Sequence, residues 1–212
     1  MYTLGVNTNK GDNMFKKIGF KGLLAAALIA GAFSQAAVAA EVAGIKYADS
    51  LKVGGKELQL NGLGVRNKFI VKVYATGLYL QDKKSTVEEV LTAEGPRRIR
   101  LVMMRDISSD DFGNAFMSGI NNNVDTKDKT KIVTQISTFG EMFAGIPGLK
   151  KGDVLDLDFI PGTGTACLLN GKPLCNAVPD VSFYNAIMKI WLGNKPADAS
   201  LKPKLLATSQ KQ

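Results

Sequence analysis

Residues 153–175 read DVLDLDFIPGTGTACLLNGKPLC, and this stretch decides the fold class. Its first part alternates strictly between apolar residues and polar ones such as Asp156 and Asp158, which is the pattern of a strand with one buried face. Pro161-Gly162 ends that strand, and Asn170-Gly171 further along is a strong signal for a tight hairpin. The stretch therefore predicts consecutive antiparallel strands, with both aspartates facing solvent.

The hairpin also brings the only two cysteines of the chain close together. A two-residue Asn-Gly loop would place Cys167 opposite Leu174, whereas a three-residue loop that includes Lys172 would place Cys167 opposite Cys175. Directly opposed Cα atoms lie about 4.5–5.5 Å apart, which permits a disulfide. The sequence leaves two alternatives open, a disulfide or two free thiols packed as small apolar side chains.

Outward from this stretch, strand patterns cluster at both ends of the domain and helical patterns lie between them and after them. Strands are predicted at Leu51–Val53, Lys56–Leu60, Phe69–Leu80 and Arg98–Arg105, with a break at Asn61–Gly64. Helices are predicted from a capping box at Ser85 and Thr86, from Ser108, over Thr130–Ala144 and over Asp180–Leu192. This grouping predicts an α+β fold with a mainly antiparallel sheet in one domain, residues 41–212.

Residues 1–40 are typical of a secretory signal peptide preceded by a short lead. A basic segment ending at Lys21 precedes the apolar run LLAAALIAGAF at 23–33, and small residues follow up to Ala40. The run of about 11 residues is too short to cross a bilayer, which takes roughly 20. An uncleaved anchor or a first amphipathic helix are the alternatives. Such a signal would direct export of the protein, and its short basic start predicts that the protein is located in a bacterial periplasm. After cleavage the mature chain would carry no integral membrane segment.

Composition excludes several classes of function. The chain contains no histidine, which removes imidazole bases, Ser-His-Asp and Cys-His nucleophiles and His-ligated metal sites. The formal charge is +8; without residues 1–40, four of the 27 basic and one of the 19 acidic residues are lost, which leaves +5. The basic residues are scattered and not interleaved with aromatic ones, so we expect no nucleic acid as a partner.

No motif for a metal or a cofactor is present, and we expect neither. Gly162-x-Gly164 lacks a third glycine and precedes a hairpin rather than a helix, so it does not fit a dinucleotide site. Asp153, Asp156 and Asp158 lack the spacing of a calcium loop, and a solvated strand face explains them better.

Three segments and the tail of the chain together resemble the chalcone isomerase superfamily, in its bacterial chalcone isomerase-like branch. The segments are LNGLGVRNKFIVKVYATGLYL at 60–80, 99–120 with MMRDISSDDF, and 140–174 with its Asn-Gly-Lys-Pro-Leu hairpin; the tail at 185–206 contains WLGNKPAD. The resemblance implies an open-faced β-sandwich, in which helices cover one face of a large antiparallel sheet and a pocket lies between the layers. Enzymes of this superfamily close a flavanone ring, while other members bind fatty acids or lack catalysis.

The resemblance also implies site residues. Arg66 matches the family arginine, and Tyr74 stands where isomerases carry Thr and looks like the fatty-acid-binding variant. Phe112 and Gly119 stand where a catalytic Tyr and Asn are expected, and the late Thr falls near Pro173. Because three of the five polar groups of the enzymes are missing or replaced, we expect no chalcone isomerase activity and assign no catalytic residue.

Arg66 and Tyr74 predict a binding site for an apolar acid such as a fatty acid, or for another amphipathic small molecule. In one straight strand the two residues would lie roughly 26 Å apart, so they can share a carboxylate only if the chain turns at Asn67-Lys68. The alternatives are an isomerase or intramolecular lyase acting on another small substrate, and a structural or interaction domain whose core is filled.

Overall fold

The structure is a computed structural model and describes residues 40–208. The predicted signal peptide lies outside the described residues except for Ala40, so its removal stays a prediction. In the described range the strands are β1 Ala40–Val42, β2 Ile45–Tyr47, β3 Ser50–Val53, β4 Lys56–Lys68, β5 Val71–Leu80, β6 Arg97–Met103, β7 Val154–Ile160, β8 Gly164–Leu169 and β9 Lys172–Pro173. The helices there are α1 Val87–Leu91, α2 Ser109–Asn123, α3 Thr126–Lys131, α4 Val133–Ala144, α5 Val181–Leu192 and α6 Lys202–Leu205.

One large antiparallel sheet organises residues 40–208. Its strands follow the order β3-β4-β5-β6-β7-β8-β9, so every strand pairs with its neighbour in sequence. The helical segment α2–α4 is inserted between β6 and β7, which nevertheless remain adjacent. The prediction of an α+β fold with helices on one face of a mainly antiparallel sheet is confirmed.

The main core lies between the sheet and helices α2, α4 and α5. Helix α5 is largely buried, and the ring of Phe183 packs 5.4 Å from that of Phe139 on α4. Phe139 also lies 4.9 Å from Phe116 of α2, which joins the three helices through aromatic contacts. No helix in the described part of the chain is both long and apolar enough to cross a membrane.

The opposite face of the sheet carries a buried ionic network, and the prediction that Asp156 and Asp158 face solvent is wrong. Across β6 and β7, Arg98 pairs with Asp158 and Arg100 with Asp156, each through two hydrogen bonds of 2.6–2.8 Å. The aspartates are only 4% and 3% exposed. Alternation identified the face correctly, but opposing arginines and the β1–β2 ribbon, with its buried Tyr47, cover it.

Strand β4 runs unbroken through Asn61–Gly64, where a break was predicted. A β-bulge at Asn61 absorbs the irregularity, and the Asn61 amide donates to the carbonyl oxygens of Lys84 (3.0 Å) and Leu205 (2.8 Å). At Gly62 a Cβ atom would overlap the backbone of α6, so glycine permits close approach there.

The helix starts follow their capping residues. Thr86 and Glu89 form the predicted capping box of α1, and Ser108 accepts a hydrogen bond from the Asp111 N–H at the start of α2. The single helix predicted over 130–144 is instead two, because α3 begins earlier at its N-cap Asp125 and Ile132 interrupts it.

The cysteine hairpin has the two-residue loop. Leu169 pairs with Lys172 across Asn170-Gly171, and the Leu174 N–H donates to the Cys167 carbonyl (2.9 Å). No bond joins the two sulfur atoms in the structure, in which Cys167 is buried and Cys175 half-buried. Burial raises the pKa of both thiols, so the structure contains protonated, weakly nucleophilic sulfur atoms here. A disulfide between them stays a prediction.

Candidate functional site

A hairpin between β4 and β5 brings Arg66 and Tyr74 together. The chain turns at Phe69-Ile70, two residues later than the sequence required, and Arg66 becomes the direct partner of Tyr74 across the two strands. The guanidinium carbon of Arg66 lies 5.5 Å from the centroid of the Tyr74 ring. The separation of roughly 26 Å expected for a straight strand therefore does not occur.

Both residues line a cavity of about 210 Å³ between the sheet and the helices. Its walls are apolar side chains of β5, β7, α2, α4 and α5, which include Val73, Phe112, Phe116, Phe139, Leu157, Ile190 and Trp191. Charged residues line it as well, namely Lys68, Arg105, Asp106 and Asp111. An apolar cavity with a few polar groups is the usual form of a small-molecule site.

The hydroxyl of Tyr74 is held in place by helix α5. Trp191 donates its indole Nε1–H to the Tyr74 Oη over 2.8 Å, and both side chains are 4% exposed. Burial raises the pKa of Tyr74 even though Arg66 opposes that shift, so the hydroxyl keeps its proton at neutral pH. Within residues 40–208 that proton has no acceptor, and Tyr74 can donate it to a ligand.

Arg66 differs from the other arginines of the sheet in lacking a partner. Its Nε is buried and has no hydrogen-bond acceptor among residues 40–208, and no carboxylate in that range forms an ion pair with it. The Nε of Arg97 likewise has no acceptor, but Arg97 donates through Nη1 to the carbonyl oxygens of Val90 and Leu91, and Arg98 binds Asp158. A guanidinium carries five donors and strongly favours a carboxylate, so Arg66 is free to bind an anion.

Asp198 and Asp106 are already engaged elsewhere, and Asp111, which also lines the cavity, forms no ion pair within residues 40–208. Asp198 accepts hydrogen bonds from the Asn67 N–H (2.8 Å) and from Ser200. Asp106 accepts from Lys150 Nζ (3.1 Å) and the Lys151 N–H (2.8 Å), which lowers its pKa. Arg66 is therefore left as a cation for an external acid.

The positions where a catalytic Tyr, Asn or Thr of the isomerases is expected carry no polar side chain. Phe112 lines the cavity with a bare ring, which packs 4.6 Å from that of Phe143. At Gly119 a Cβ atom would lie 2.7 Å from Cγ2 of Ile190, so the close contact of α2 with α5 leaves no room for an Asn side chain. Pro173 is exposed on β9 and does not line the cavity.

Sequence reasoning missed Trp191 and Lys68 as site residues. The sequence placed Trp191 only within the helix predicted over Asp180–Leu192, yet an indole N–H in a buried helix needs an acceptor, and that requirement pointed to a polar group nearby. For Lys68 no sequence signal existed, because its position depends on where the hairpin turns. In the described range no cluster of acidic residues and cysteines could hold a metal ion.

Comparisons with known proteins agree with this architecture. The chalcone isomerase-like family model matches residues 39–207, so the chain belongs to the chalcone isomerase-like family. The crystal structure of a fatty-acid binding protein from Arabidopsis thaliana is similar with a TM-score of 0.64 and 17% identity, over 79% of this chain and 95% of that one. Such a distant likeness concerns the fold. No curated protein matches the sequence.

Proposed function

We propose that the protein binds a fatty acid, or a similar apolar carboxylate, in the cavity between sheet and helices and does not catalyse a reaction on it. One observation carries this proposal: the guanidinium of Arg66 has no acidic partner among the described residues, yet it lies beside a protonated hydroxyl at a cavity with a large apolar wall. A carboxylate could accept hydrogen bonds from Arg66 and Tyr74 together.

The rest of the ligand would lie against hydrocarbon. Phe116, Phe139 and Leu157 line the cavity and are at most 6% exposed, so an alkyl chain beside them would leave water completely. Each buried CH₂ group contributes about 0.8 kcal/mol. An amphipathic acid matches this division into one charged end and one apolar wall.

Two further facts support binding over catalysis. The similar Arabidopsis protein is a fatty-acid binding protein by name, and the structural match covers 95% of that protein's chain. Phe112 and Gly119 supply neither the hydroxyl nor the amide that the resemblance places at the matching positions of the isomerases. Loss of a single such donor typically costs 10²–10³ in rate.

The substitution Arg66→Met tests the site. It removes the cation and preserves bulk, so we expect the Kd for dodecanoic acid to rise about 10- to 100-fold, since a hydrogen bond to a charged group contributes ~1.5–3 kcal/mol. Isothermal titration calorimetry measures this. Lys52→Met is the matched control, because Lys52 is exposed on β3 and does not line the cavity.

Dodecanol separates recognition of the carboxylate from simple apolar binding. We expect the alcohol to bind Arg66→Met and the unchanged protein almost equally, because it carries no charge for Arg66 to neutralise. If dodecanoic acid bound Arg66→Met as tightly as the unchanged protein, or bound neither, the proposed site would be wrong.

Export to the periplasm is the second part of the proposal, and it is supported by the residue pattern of positions 1–40. Ala40 pairs with Tyr47 in the β1–β2 ribbon. Cleavage after Ala39 would keep that pair. We expect N-terminal sequencing of the protein produced in a Gram-negative bacterium to begin at Ala40 or Glu41; a start at Met1 or Met14 would contradict export with cleavage.

A further inference from the structure

The turn of the β4–β5 hairpin exposes apolar side chains fully to water. Residues 68–72, with the sequence KFIVK, form what we call the hairpin tip. Phe69 is 93% exposed, Ile70 97% and Val71 41%. These three consecutive residues are half of the six large apolar residues that are exposed in the described part of the chain. Single exposed apolar residues are ordinary, whereas a contiguous set marks an interaction site.

Turn chemistry does not explain these residues. Phe69 adopts φ 57°, a left-handed conformation that a bulky side chain rarely accepts. The other two two-residue hairpins of the same sheet use Gly54-Gly55, with φ 55° and 76°, and Asn170-Gly171, with φ 52° and 78°, and these residues suit such turns without strain. The hairpin tip therefore accepts both backbone strain and apolar exposure, and this combination is typical of a functional segment.

The charges at the hairpin tip select the partner. Lys68 and Lys72 flank the apolar residues on both strands, and both are exposed. We infer that the hairpin tip docks on an anionic lipid bilayer, with Phe69 and Ile70 inserted among the acyl chains and the two lysines at the phosphate groups. Long lysine side chains reach the interface from a shallow insertion of this kind, and anionic lipids attract each of them.

The size and shape of the hairpin tip also favour a bilayer over a protein. Two side chains at a convex turn cannot bury the roughly 1,000 Å² that a specific protein interface needs. A bilayer requires no shape complementarity, and its affinity grows with the apolar area and basic charge inserted. Lys68 also lines the cavity, so docking would bring the cavity next to the lipid; that consequence rests on the proposed function.

Tryptophan fluorescence tests the insertion directly. The chain has a single tryptophan, Trp191, which is buried and provides the background signal. The full chain carrying Phe69→Trp is mixed with vesicles of brominated phosphatidylcholine and phosphatidylglycerol. We expect quenching well beyond that of the unchanged chain, and Val133→Trp, at a 61% exposed site on α4, serves as the matched control without added quenching.

Charge and salt give the second part of the test. Lys72→Gln added to Phe69→Trp should weaken partitioning about fivefold, since each lysine near an anionic surface contributes about 1 kcal/mol. High salt should weaken it further by screening. Residues 1–40 are identical in the sequence of every variant and are kept or removed in the same way in all of them, so any contribution of that segment is common to all.

Three outcomes would overturn the docking surface. The first is that vesicles quench Phe69→Trp no more than the unchanged chain. The second is that they quench Val133→Trp as strongly as Phe69→Trp. The third is a blue shift of Phe69→Trp that grows with protein concentration in the absence of vesicles, which would indicate a second copy of the chain as the partner. Failure of the proposed function is distinguishable, because it would appear as an unchanged Kd of Arg66→Met for dodecanoic acid in solution, whereas insertion of the hairpin tip is measured by the quenching of Phe69→Trp.

Discussion

Tyr74 connects the two layers of the molecule through one oxygen atom. The residue belongs to β5, its ring lies under the Arg66 guanidinium, and its Oη accepts the indole proton of Trp191 on α5. The same hydroxyl keeps a proton to donate. A single side chain thus supports the position of Arg66, satisfies a buried donor and offers a donor to the cavity.

Replacing Tyr74 with Phe should affect stability and binding together. Tyr74→Phe leaves the Trp191 N–H buried without an acceptor, so we expect the free energy of unfolding to fall by about 1–3 kcal/mol. The Kd for dodecanoic acid should also rise, because one of the two donors to the carboxylate is lost. Urea unfolding and calorimetry measure the two effects.

Tyr184→Phe is the matched control for that substitution. Tyr184 is as deeply buried, but its hydroxyl only donates a long bond of 3.4 Å to the Leu157 carbonyl, so its removal leaves no buried N–H unpaired. Its cost should be clearly smaller. Equal losses in both variants would show that the Trp191–Tyr74 hydrogen bond is not what stabilises this region.

At the scale of elements, the contact between α2 and α5 shapes the cavity wall. Gly119 brings the two helices so close that Ile190 occupies the space where a longer side chain would point. Gly119→Ala should therefore overpack this contact and lower the free energy of unfolding by about 1–3 kcal/mol. Urea denaturation measures the loss.

For Gly113→Ala on the same helix we expect the opposite effect, a gain in stability. A Cβ atom at Gly113 meets nothing within 4 Å, so alanine there should stabilise the protein by about 0.5–1 kcal/mol through helix propensity alone. Ile190→Ala removes buried side-chain volume and is destabilising by itself, but the double variant with Gly119→Ala should lose less than the sum of the two single losses, because the added methyl group then has room. If Gly119→Ala were as favourable as Gly113→Ala, the tight helix contact would be incorrect.

Local signals in the sequence predicted the elements well where neighbours along the chain determine them. The alternation of β7, the capping box of Thr86 and Glu89 and the Asn-Gly hairpin all depend on a few adjacent residues, and the structure contains all three. Arg66 and Tyr74 came from family resemblance, and the structure brings them together at the cavity.

What the sequence did not predict depends on segments far away along the chain. Asn61 forms a bulge because Lys84 and Leu205 satisfy its amide, and Asp156 is buried because Arg100 and the β1–β2 ribbon cover it. The turn at Phe69-Ile70 carries no turn-forming residue, so pattern reasoning extended the strand through it. In each case tertiary contact outweighs local preference.

At the scale of the whole molecule, the sheet separates two environments. The cavity lies on the helical side, lined by α2, α4 and α5, while the network of Arg98, Arg100, Asp156 and Asp158 lies on the side of the β1–β2 ribbon. A ligand in the cavity contacts both sheet and helices and leaves the ribbon untouched. Binding should therefore stabilise the two layers unequally.

Hydrogen exchange with and without dodecanoic acid tests this division. At a ligand concentration about 100 times Kd, the folded state should gain ~2.7 kcal/mol. We expect slower exchange in α2 and α4 and around Tyr74, where local opening would disrupt the cavity wall. The β1–β2 ribbon, which lies on the other face, should change least.

The location of the protection decides between two explanations of any stabilisation. An acid bound between the layers must protect α2 and α4 over the ribbon, and Arg66→Met must abolish that difference while Lys52→Met preserves it. Protection centred on residues 40–47, near Tyr47 and the half-buried Arg98 and Arg100, would instead place the carboxylate on the opposite face of the sheet. The cavity beside Arg66 would then not be the binding site.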